Sequence, residues 1–248
     1  LSGAGQSYVV FGSNSGFGGS LNLSTLNGSN GFAINGIAAD DYSGWAVSGA
    51  GDVNGDGFDD VIIGARRADP NSLSNAGQSY VVFGSNSGFG GSLNLSTLNG
   101  SNGFAINGIV ADDQSGWSVS GAGDINGDGF DDVIIGARFA DPNGLFLAGQ
   151  SYVVFGSNSG FDGSLNLSTL NGSNGFAING IAAFDQSGWS VSSAFDVNGD
   201  GIDDLIIGAW SADANGIFNA GQSYVVFGSK SGFGGSLNLS TLNGSNGF

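Results

Sequence analysis

The amino-acid sequence predicts an all-β fold, and composition is the first of three observations that support this. Val, Ile, Phe, Ser, Asn and Gly dominate the 248 residues, and Gly alone accounts for 49 of them. β-Branched and aromatic residues favour strands, whereas Gly and Asn favour the turns between strands. The strong helix formers Glu, Lys, Arg and Met are nearly absent, since Lys and Arg together number four. The composition therefore indicates short strands joined by many turns.

The second observation is internal repetition. The string AGQSYVVFG begins at Ala4 and returns at Ala76, Ala148 and Ala220, each start lying 72 residues after the last. The strings GFAING and SGW recur at the same spacing. Dividing the 248 residues by this period gives about 3.4 repeats, and no linker separates them. The chain is therefore expected to be one continuous array.

The third observation is the apolar pattern within each repeat, which predicts four short strands. In the first complete repeat they are Trp45 to Gly51, Asp60 to Ala65, Gln78 to Gly84 and Gly103 to Ile109. The second is an unbroken apolar run, as expected for a strand buried on both faces. The third is rich in β-branched and aromatic residues. The fourth follows a long polar connection and is expected at the edge of its sheet.

Four antiparallel strands per repeat, stacked without helices, are typical of β-propeller blades. A β-solenoid is the alternative, but its coils are usually much shorter than this repeat. We expect strands three and four of a partial blade in residues 1–44, blades in 45–116 and 117–188, and a blade without its fourth strand in 189–248.

Three blades cannot close a ring, so the propeller is expected to be incomplete in this chain. Another chain or a longer parent chain would then complete it and cover the open strand edges. With two chains, the segment Gly31 to Ile37 of one copy would supply the missing fourth strand of the other.

A nine-residue acidic loop follows the first strand of each repeat, and the first copy is Asp52 to Asp60 (DVNGDGFDD). Oxygen-bearing side chains occupy positions 1, 3, 5 and 9, position 6 is a Gly that permits a tight turn, and position 7 offers its carbonyl. Calcium prefers ligands of this kind, and an amide and a carbonyl in a flexible turn suit it better than magnesium. An EF-hand is excluded, since its position 12 needs Glu and here is Ile63, Ile135 or Ile207.

The sequence therefore predicts three Ca²⁺ sites with a stabilising role. The predicted ligands are Asp52, Asn54, Asp56, Phe58 (carbonyl) and Asp60; Asp124, Asn126, Asp128, Phe130 (carbonyl) and Asp132; and Asp196, Asn198, Asp200, Ile202 (carbonyl) and Asp204. The aspartates at position 8, which are Asp59, Asp131 and Asp203, are expected to be solvated or to lie behind the ligands.

Charge and residue content exclude several function classes. The formal net charge is −17, and twelve of the 21 acidic residues, all Asp, lie in the three loops. Nucleic acids and anionic membranes need Lys and Arg patches, so neither is an expected partner. No apolar run reaches the roughly 20 residues of a membrane span, so membrane insertion is not expected. Cys and His are absent, which removes the usual nucleophile–base pairs, and we expect no enzymatic activity.

The end of the blades opposite the acidic loops is where the three repeats differ. The connections after Arg66, Arg138 and Trp210 vary in sequence, and so do the segments around Asp40–Asp41 and Asp112–Asp113. These aspartate pairs are expected to cap turns. Trp45, Trp117 and Trp189 recur at the repeat spacing and are expected in the core between blades. Trp210, Phe139, Phe146 and Phe218 form a candidate surface for a glycan or a protein.

Two strings carry a family resemblance: SGWSVSGAGDINGDGFDDVIIGAR, from Ser115 to Arg138, and AGQSYVVFG. They resemble FG-GAP repeats, which form the blades of integrin α-subunit propellers and of many secreted bacterial proteins. The resemblance covers the whole chain. It implies calcium in the hairpin between strands one and two, bound through the positions named above, and an extracellular or cell-surface location. The long repeat and the near identity of the copies favour a bacterial protein.

We therefore expect a calcium-stabilised, non-catalytic structural or adhesion module that self-associates through its blades or packs against neighbouring repeats. One alternative is a glycan- or protein-binding module that uses the variable end of the blades. Another is the non-catalytic propeller of a larger secreted enzyme.

Overall fold

The computed structural model describes all 248 residues, and it contains only strands and short 3₁₀ turns. None of its helical segments has the length and apolarity needed to cross a membrane. The strands are β1 Gln6–Val10, β2 Gly31–Asn35, β3 Ala46–Gly51, β4 Asp60–Ala65, β5 Gln78–Val82, β6 Ser92–Asn94, β7 Gly103–Asn107, β8 Ser118–Gly123, β9 Asp132–Ala137, β10 Gln150–Val154, β11 Ser164–Asn166, β12 Gly175–Asn179, β13 Ser187–Phe195, β14 Asp204–Ala209, β15 Gln222–Val226 and β16 Ser236–Asn238. The 3₁₀ turns are Leu23–Thr25, Pro70–Ser72, Leu95–Thr97, Pro142–Gly144, Leu167–Thr169, Ala214–Gly216 and Leu239–Thr241.

The strands form four separate sheets. Two have five strands, in the orders β3-β4-β5-β7-β11 and β8-β9-β10-β12-β16, and two have three, β1-β2-β6 and β13-β14-β15. Within each repeat the neighbouring strands are antiparallel, in the order predicted from the sequence. No sheet closes on itself. The all-β prediction and the incomplete propeller of four-stranded antiparallel blades are therefore confirmed.

The long connection between strands three and four is more ordered than the sequence indicated. It contributes a short strand that runs parallel to the fourth strand of the preceding repeat, as β11 does beside β7. Phe161 in this connection stacks on Phe104 with ring centroids 4.3 Å apart. The side-chain amide of Asn107 donates a hydrogen bond to Asn166 Oδ1 at 3.0 Å. The prediction that the fourth strand lies at the sheet edge was wrong, because the next repeat adds a strand outside it.

The apolar core lies between successive sheets. The second strand of each repeat is buried on both faces where sheets flank it, as predicted: Ile62, Ile63, Ile134 and Ile135 are at most 1% exposed. One core cluster joins the sheet that begins with β3 to the sheet that begins with β8, and a second joins the latter to β13-β14-β15. Each repeat is therefore stabilised mainly by its neighbours, as in other stacked repeat architectures.

Backbone segments approach closely where the AGQ and SGW strings meet. A Cβ built on Gly77, which has φ +81°, would lie 2.0 Å from the carbonyl oxygen of Ser115. Ser115 N donates a hydrogen bond to Ala76 O at 2.9 Å, which fixes this contact. Only Gly combines a positive φ with so little space. The two strings recur together because they form one contact, between the start of the third strand and the loop before the next first strand.

Candidate metal centre

The acidic loop Asp52 to Asp60 connects β3 to β4 and is held by its own side chains. Asp52 Oδ1 accepts a hydrogen bond from Asp56 N at 3.0 Å, and its Oδ2 accepts one from Gly57 N at 2.8 Å. Asn54 Oδ1 accepts from Asp56 N at 2.9 Å, and Asp56 Oδ1 accepts from Phe58 N at 2.9 Å. Gly57 has φ +87°, which bends the chain as the sequence predicted. Side chains at positions 1, 3 and 5 therefore wrap the turn around its own amide groups.

Asp60 closes the loop from inside the protein. It is 1% exposed, and its two oxygens accept hydrogen bonds from Val53 N at 3.0 Å and from Gly84 N at 2.8 Å. Gly84 follows the third strand, so Asp60 ties the metal loop to the next connection on the same end of the sheet. Each oxygen keeps a second lone pair for another partner.

The second and third loops repeat this arrangement. Asp124 and Asp196 accept from the amides at positions 5 and 6 at 2.9 to 3.1 Å. Asp132 accepts from Ile125 N at 3.1 Å and Gly156 N at 2.8 Å, and Asp204 from Val197 N and Gly228 N, both at 2.9 Å. Three near-identical sequences therefore give three near-identical loops.

Negative charge accumulates in these loops. Burial raises the pKa of Asp60 to about 7, opposed by the hydrogen bonds from Gly84 and Val53 and reinforced by the charges of Asp56 and Asp52. Burial likewise raises the pKa of Asp132 to about 8, against the hydrogen bonds from Gly156 and Ile125. A carboxylate that is buried among like charges is costly unless a cation balances it.

The residues present fit a hard divalent cation by their chemistry. All predicted ligands are oxygens from carboxylates, amides or carbonyls, and they lie in a glycine-bent turn. No group of three or more acidic side chains is arranged so that it could hold a metal ion by itself. The aspartates of each loop therefore do not converge on one point here, and their oxygens hold loop amides instead. The fifteen predicted ligands remain a prediction.

The aspartate at position 8 links neighbouring repeats, which sequence reasoning missed. Asp131 Oδ2 accepts a hydrogen bond from Asp52 N at 2.8 Å, and Asp131 N donates one to Asp52 O at 3.3 Å. In the same way Asp203 Oδ2 accepts from Asp124 N at 3.1 Å. Each of these carboxylates therefore holds the first predicted ligand of the preceding loop.

A glycine makes room for this contact in the first two repeats but not in the third. A Cβ on Gly51, which has φ +72°, would lie 2.2 Å from Asp131 Oδ2, and one on Gly123 would lie 2.1 Å from Asp203 Oδ2. The third repeat has Phe195 at the equivalent position, with φ +55° and 75% of its surface exposed. An aspartate cannot approach the third loop in the same way.

The second loop differs from the others by a nearby lysine. A Cβ on Gly127 would lie 2.6 Å from Lys230 Cγ, so the aliphatic part of this side chain lies against the Asp124–Asp132 loop. The equivalent residue beside Gly55 is Asn158. The second loop is therefore the only one of the three with a lysine side chain packed against it.

The opposite end of the blades carries a ladder of aromatic and arginine side chains. Trp45 and Trp117 have ring centroids 5.1 Å apart, and Trp117 and Trp189 are 5.2 Å apart. The guanidinium of Arg66 lies 3.9 Å from the Trp45 ring, and that of Arg138 lies 3.4 Å from the Trp117 ring. The tryptophans bridge repeats as expected, but Trp45 is 48% exposed and Trp117 and Trp189 are only half-buried, so the prediction of core positions was wrong.

Trp210 continues this ladder where the other repeats have arginine. Its ring centroid lies 4.8 Å from that of Trp189, and its Nε1 donates a hydrogen bond to Gln186 Oε1 at 3.1 Å. One part of the aspartate prediction holds nearby, since Asp41 accepts a hydrogen bond from Ala38 N and so fixes its turn. Asp185, which the prediction did not include, does the same in the third repeat through Ala182 N.

Comparisons with known proteins match the repeat pattern. The model of the FG-GAP repeat matches residues 43–82, 115–154 and 187–226. Integrin alpha pat-2 of Caenorhabditis elegans is 35% identical over 186 residues, which cover 69% of this chain and 13% of that protein. Integrin alpha-4 of Xenopus laevis is 31% identical over 183 residues, which cover 74% of this chain and 16% of that protein. Phosphatidylinositol-glycan-specific phospholipase D of Bos taurus is 32% identical over 119 residues, which cover 47% of this chain and 14% of that protein.

This chain therefore spans less than a fifth of the length of these relatives. Each matched segment runs from the Ser of an SGW string, through the acidic loop and the second strand, to the end of the third strand. The matches therefore fall on the hairpin that carries the candidate metal site, in all three repeats. The three repeat matches and the similarity to the integrin alpha chains show that the chain belongs to the FG-GAP repeat family.

Proposed function

We propose that this chain is a calcium-stabilised, non-catalytic adhesion module that acts outside the cell or at its surface. The observation that carries the proposal is the threefold recurrence of one acidic loop, with the same hydrogen bonds in each copy. The similarity to integrin alpha chains supports an adhesion-type role. We also propose that the blades meet at residues 44/45, 116/117 and 188/189. A bacterial origin is part of the same proposal.

Calcium in this proposal stabilises the contacts between repeats as well as each hairpin. Burial, reinforced by the charges of the neighbouring loop aspartates, raises the pKa of Asp60 and Asp132, and a bound cation at each loop would offset both effects. Because Asp131 and Asp203 hold the first residue of the preceding loop, a loop loosened by metal loss would also weaken its contact with the next repeat. The proposed ligands are the five residues per loop named from the sequence, which make three Ca²⁺ sites.

Thermal unfolding tests the calcium proposal. The variant with Asp56→Ala, Asp128→Ala and Asp200→Ala should unfold well below the wild-type temperature in calcium and lose the response of the wild type to a chelator. Asp59→Asn is the matched control, since it removes a carboxylate from the same loop without removing a proposed ligand. Equal melting temperatures of the triple variant and the wild type in saturating calcium would contradict the proposal.

Self-association is the partner proposal that the exposed sheet faces support. Tyr8 is 42% exposed whereas its equivalent Tyr80 is 1% exposed, and Ile206 is 38% exposed whereas Ile134 is buried. These side chains lie on the two end sheets, on faces that a neighbouring repeat covers elsewhere in the chain. A second copy, or further repeats of a longer chain, would cover them. The mass of the particle in solution, measured with and without a chelator, tests this point.

A second candidate function is a non-catalytic propeller within a larger secreted enzyme, and the similarity to the phospholipase D favours it. The sequence of the complete gene would decide between the two. A glycan or surface protein that binds at the variable end of the blades is compatible with either, and Trp210→Ala tests the contribution of that surface.

A further inference from the structure

The middle repeat contains a cavity of about 690 Å³ at the end of the strands opposite the metal loops. Two connections form it: the one that follows β9 and the one that leads from β7 to β8. Its lining combines the carboxylates of Asp112, Asp113 and Asp141 with apolar and aromatic side chains, among them Phe139 and Phe146. Cavities of this size are typical of small-molecule sites.

Asp113 is the unusual member of this lining. It is 8% exposed, and its carboxylate accepts no hydrogen bond. The equivalent residues of the other repeats do have a partner, since Asp41 accepts from Ala38 N at 3.1 Å and Asp185 from Ala182 N at 3.2 Å. A buried carboxylate without a donor or a cation is strongly disfavoured. The middle repeat therefore leaves a buried negative group open to the cavity.

The other carboxylates add to this charge and are already held in place. Asp112 Oδ1 accepts a hydrogen bond from Asn75 Nδ2 at 3.0 Å, and Asp141 Oδ1 accepts one from Leu147 N at 2.6 Å. Burial first, and then the charges of Asp141 and Asp112, raise the pKa of Asp113 to about 7. A cation in the cavity would offset the charge of all three groups.

The apolar part of the lining distinguishes an organic cation from a metal ion. Phe139 and Phe146 lie in the middle repeat where the first repeat has Arg67 and Ser74. The ring of Phe139 already has a cation near it, the guanidinium of Arg138 at 3.9 Å. Metal ions prefer a shell of oxygen ligands, whereas most of this lining is apolar or aromatic. Aromatic and aliphatic walls beside a carboxylate suit a cation with an apolar surface.

We propose that this cavity binds a small molecule through a quaternary ammonium group, with Asp113 as the counter-ion and Phe146 as part of the apolar wall. The site is distinct from the proposed calcium sites, which lie at the other end of the strands. It does not depend on the adhesion proposal.

Calorimetric titration with choline, on the full chain in saturating calcium, tests the inference. We expect saturable choline binding, with at least tenfold weaker binding of the neutral isostere 3,3-dimethyl-1-butanol. Asp113→Asn, which keeps the side-chain shape, should weaken choline binding at least tenfold. Asp185→Asn is the matched control in the third repeat and should leave it unchanged.

A second pair of variants tests the apolar wall. Phe146→Ala should weaken choline binding several-fold, whereas Phe218→Ala at the equivalent exposed position should not. Absence of saturable choline binding, or equal binding by the isostere, would overturn the inference. Tighter binding of arginine methyl ester than of choline would also overturn it, in favour of a guanidinium-bearing partner. If choline does not bind but thermal unfolding still depends on calcium, only the inference about the cavity is overturned and the adhesion proposal is unaffected.

Discussion

Gly51 is the position where a single methyl group should separate two neighbouring repeats. An added Cβ would lie 2.2 Å from Asp131 Oδ2, and that oxygen also accepts the hydrogen bond from Asp52 N. Gly51→Ala should therefore displace the carboxylate and break this hydrogen bond. Its φ of +72° adds the strain of a left-handed conformation for a residue with a Cβ.

The expected cost is the sum of two effects. Left-handed strain costs about 1–2 kcal/mol, and loss of a hydrogen bond to a charged group costs about 1.5–3 kcal/mol. Gly51→Ala should thus lower the free energy of unfolding by about 2.5–5 kcal/mol in saturating calcium. Gly88→Ala is the matched control, since Gly88 has φ +76° and open space around the added Cβ. It should cost about 1–2 kcal/mol, from strain alone.

Urea unfolding followed by tryptophan fluorescence measures these differences, and a double-mutant cycle identifies their source. Asp131→Ala removes the carboxylate, so the combined variant Gly51→Ala/Asp131→Ala should cost clearly less than the sum of the two single changes. Equal destabilisation by Gly51→Ala and Gly88→Ala, or simple additivity in the cycle, would refute the idea that this carboxylate joins the repeats.

Three further predictions concern single side chains. Burial raises the pKa of Asp113 from 3.8 to about 7, so between these pH values the folded state binds a proton that the unfolded state has lost. The wild type should therefore lose stability as the pH rises through this range, and Asp113→Asn should gain stability relative to it. Unfolding experiments in calcium measure this difference, and parallel pH profiles of the two proteins would contradict it. Lys230→Asn replaces the lysine beside the second loop with the residue type that lies beside the first loop. It should raise the calcium affinity of the second loop about twofold in a calorimetric titration at low salt, because a positive charge is removed. An unchanged affinity would count against an electrostatic effect. Arg138→Lys should lower the free energy of unfolding by about 1 kcal/mol, because an ammonium group cannot stack between Trp117 and Trp189 as the guanidinium does, and an unchanged urea midpoint would show that stacking contributes little.

Local sequence was a good guide to the strands and to the interior of the acidic loops. The strand Asp60–Ala65 has the predicted limits, and the neighbouring first and third strands end within two residues of theirs. Their β-branched and apolar runs are bounded by Gly and Asn, so both strand type and turn position were readable. The hydrogen bonds that Asp52, Asn54 and Asp56 make within the loop also join residues at most five positions apart.

Contacts between repeats were not readable in the same way. The short strand Ser164–Asn166 has too few residues for a periodic pattern, and its partner β7 lies in the preceding repeat. The hydrogen bond from Asp52 N to Asp131 joins residues 79 positions apart. The glycine at position 51 was a signal for that contact, but its meaning depends on which carboxylate lies opposite.

The all-β class and the three oxygen-rich loops could be predicted from residue types and their spacing within a few positions, and the stacking of repeats from the 72-residue period. Three features became visible only in the folded chain: Asp60 is buried between two backbone amides, Asp131 and Asp203 join neighbouring loops, and Asp113 lines a cavity while its carboxylate accepts no hydrogen bond. The physical reason is that the environment of a carboxylate is set by the segments packed around it. Because the repeats are nearly identical, the surroundings of equivalent carboxylates differ mainly where the connections of variable sequence pack against one another.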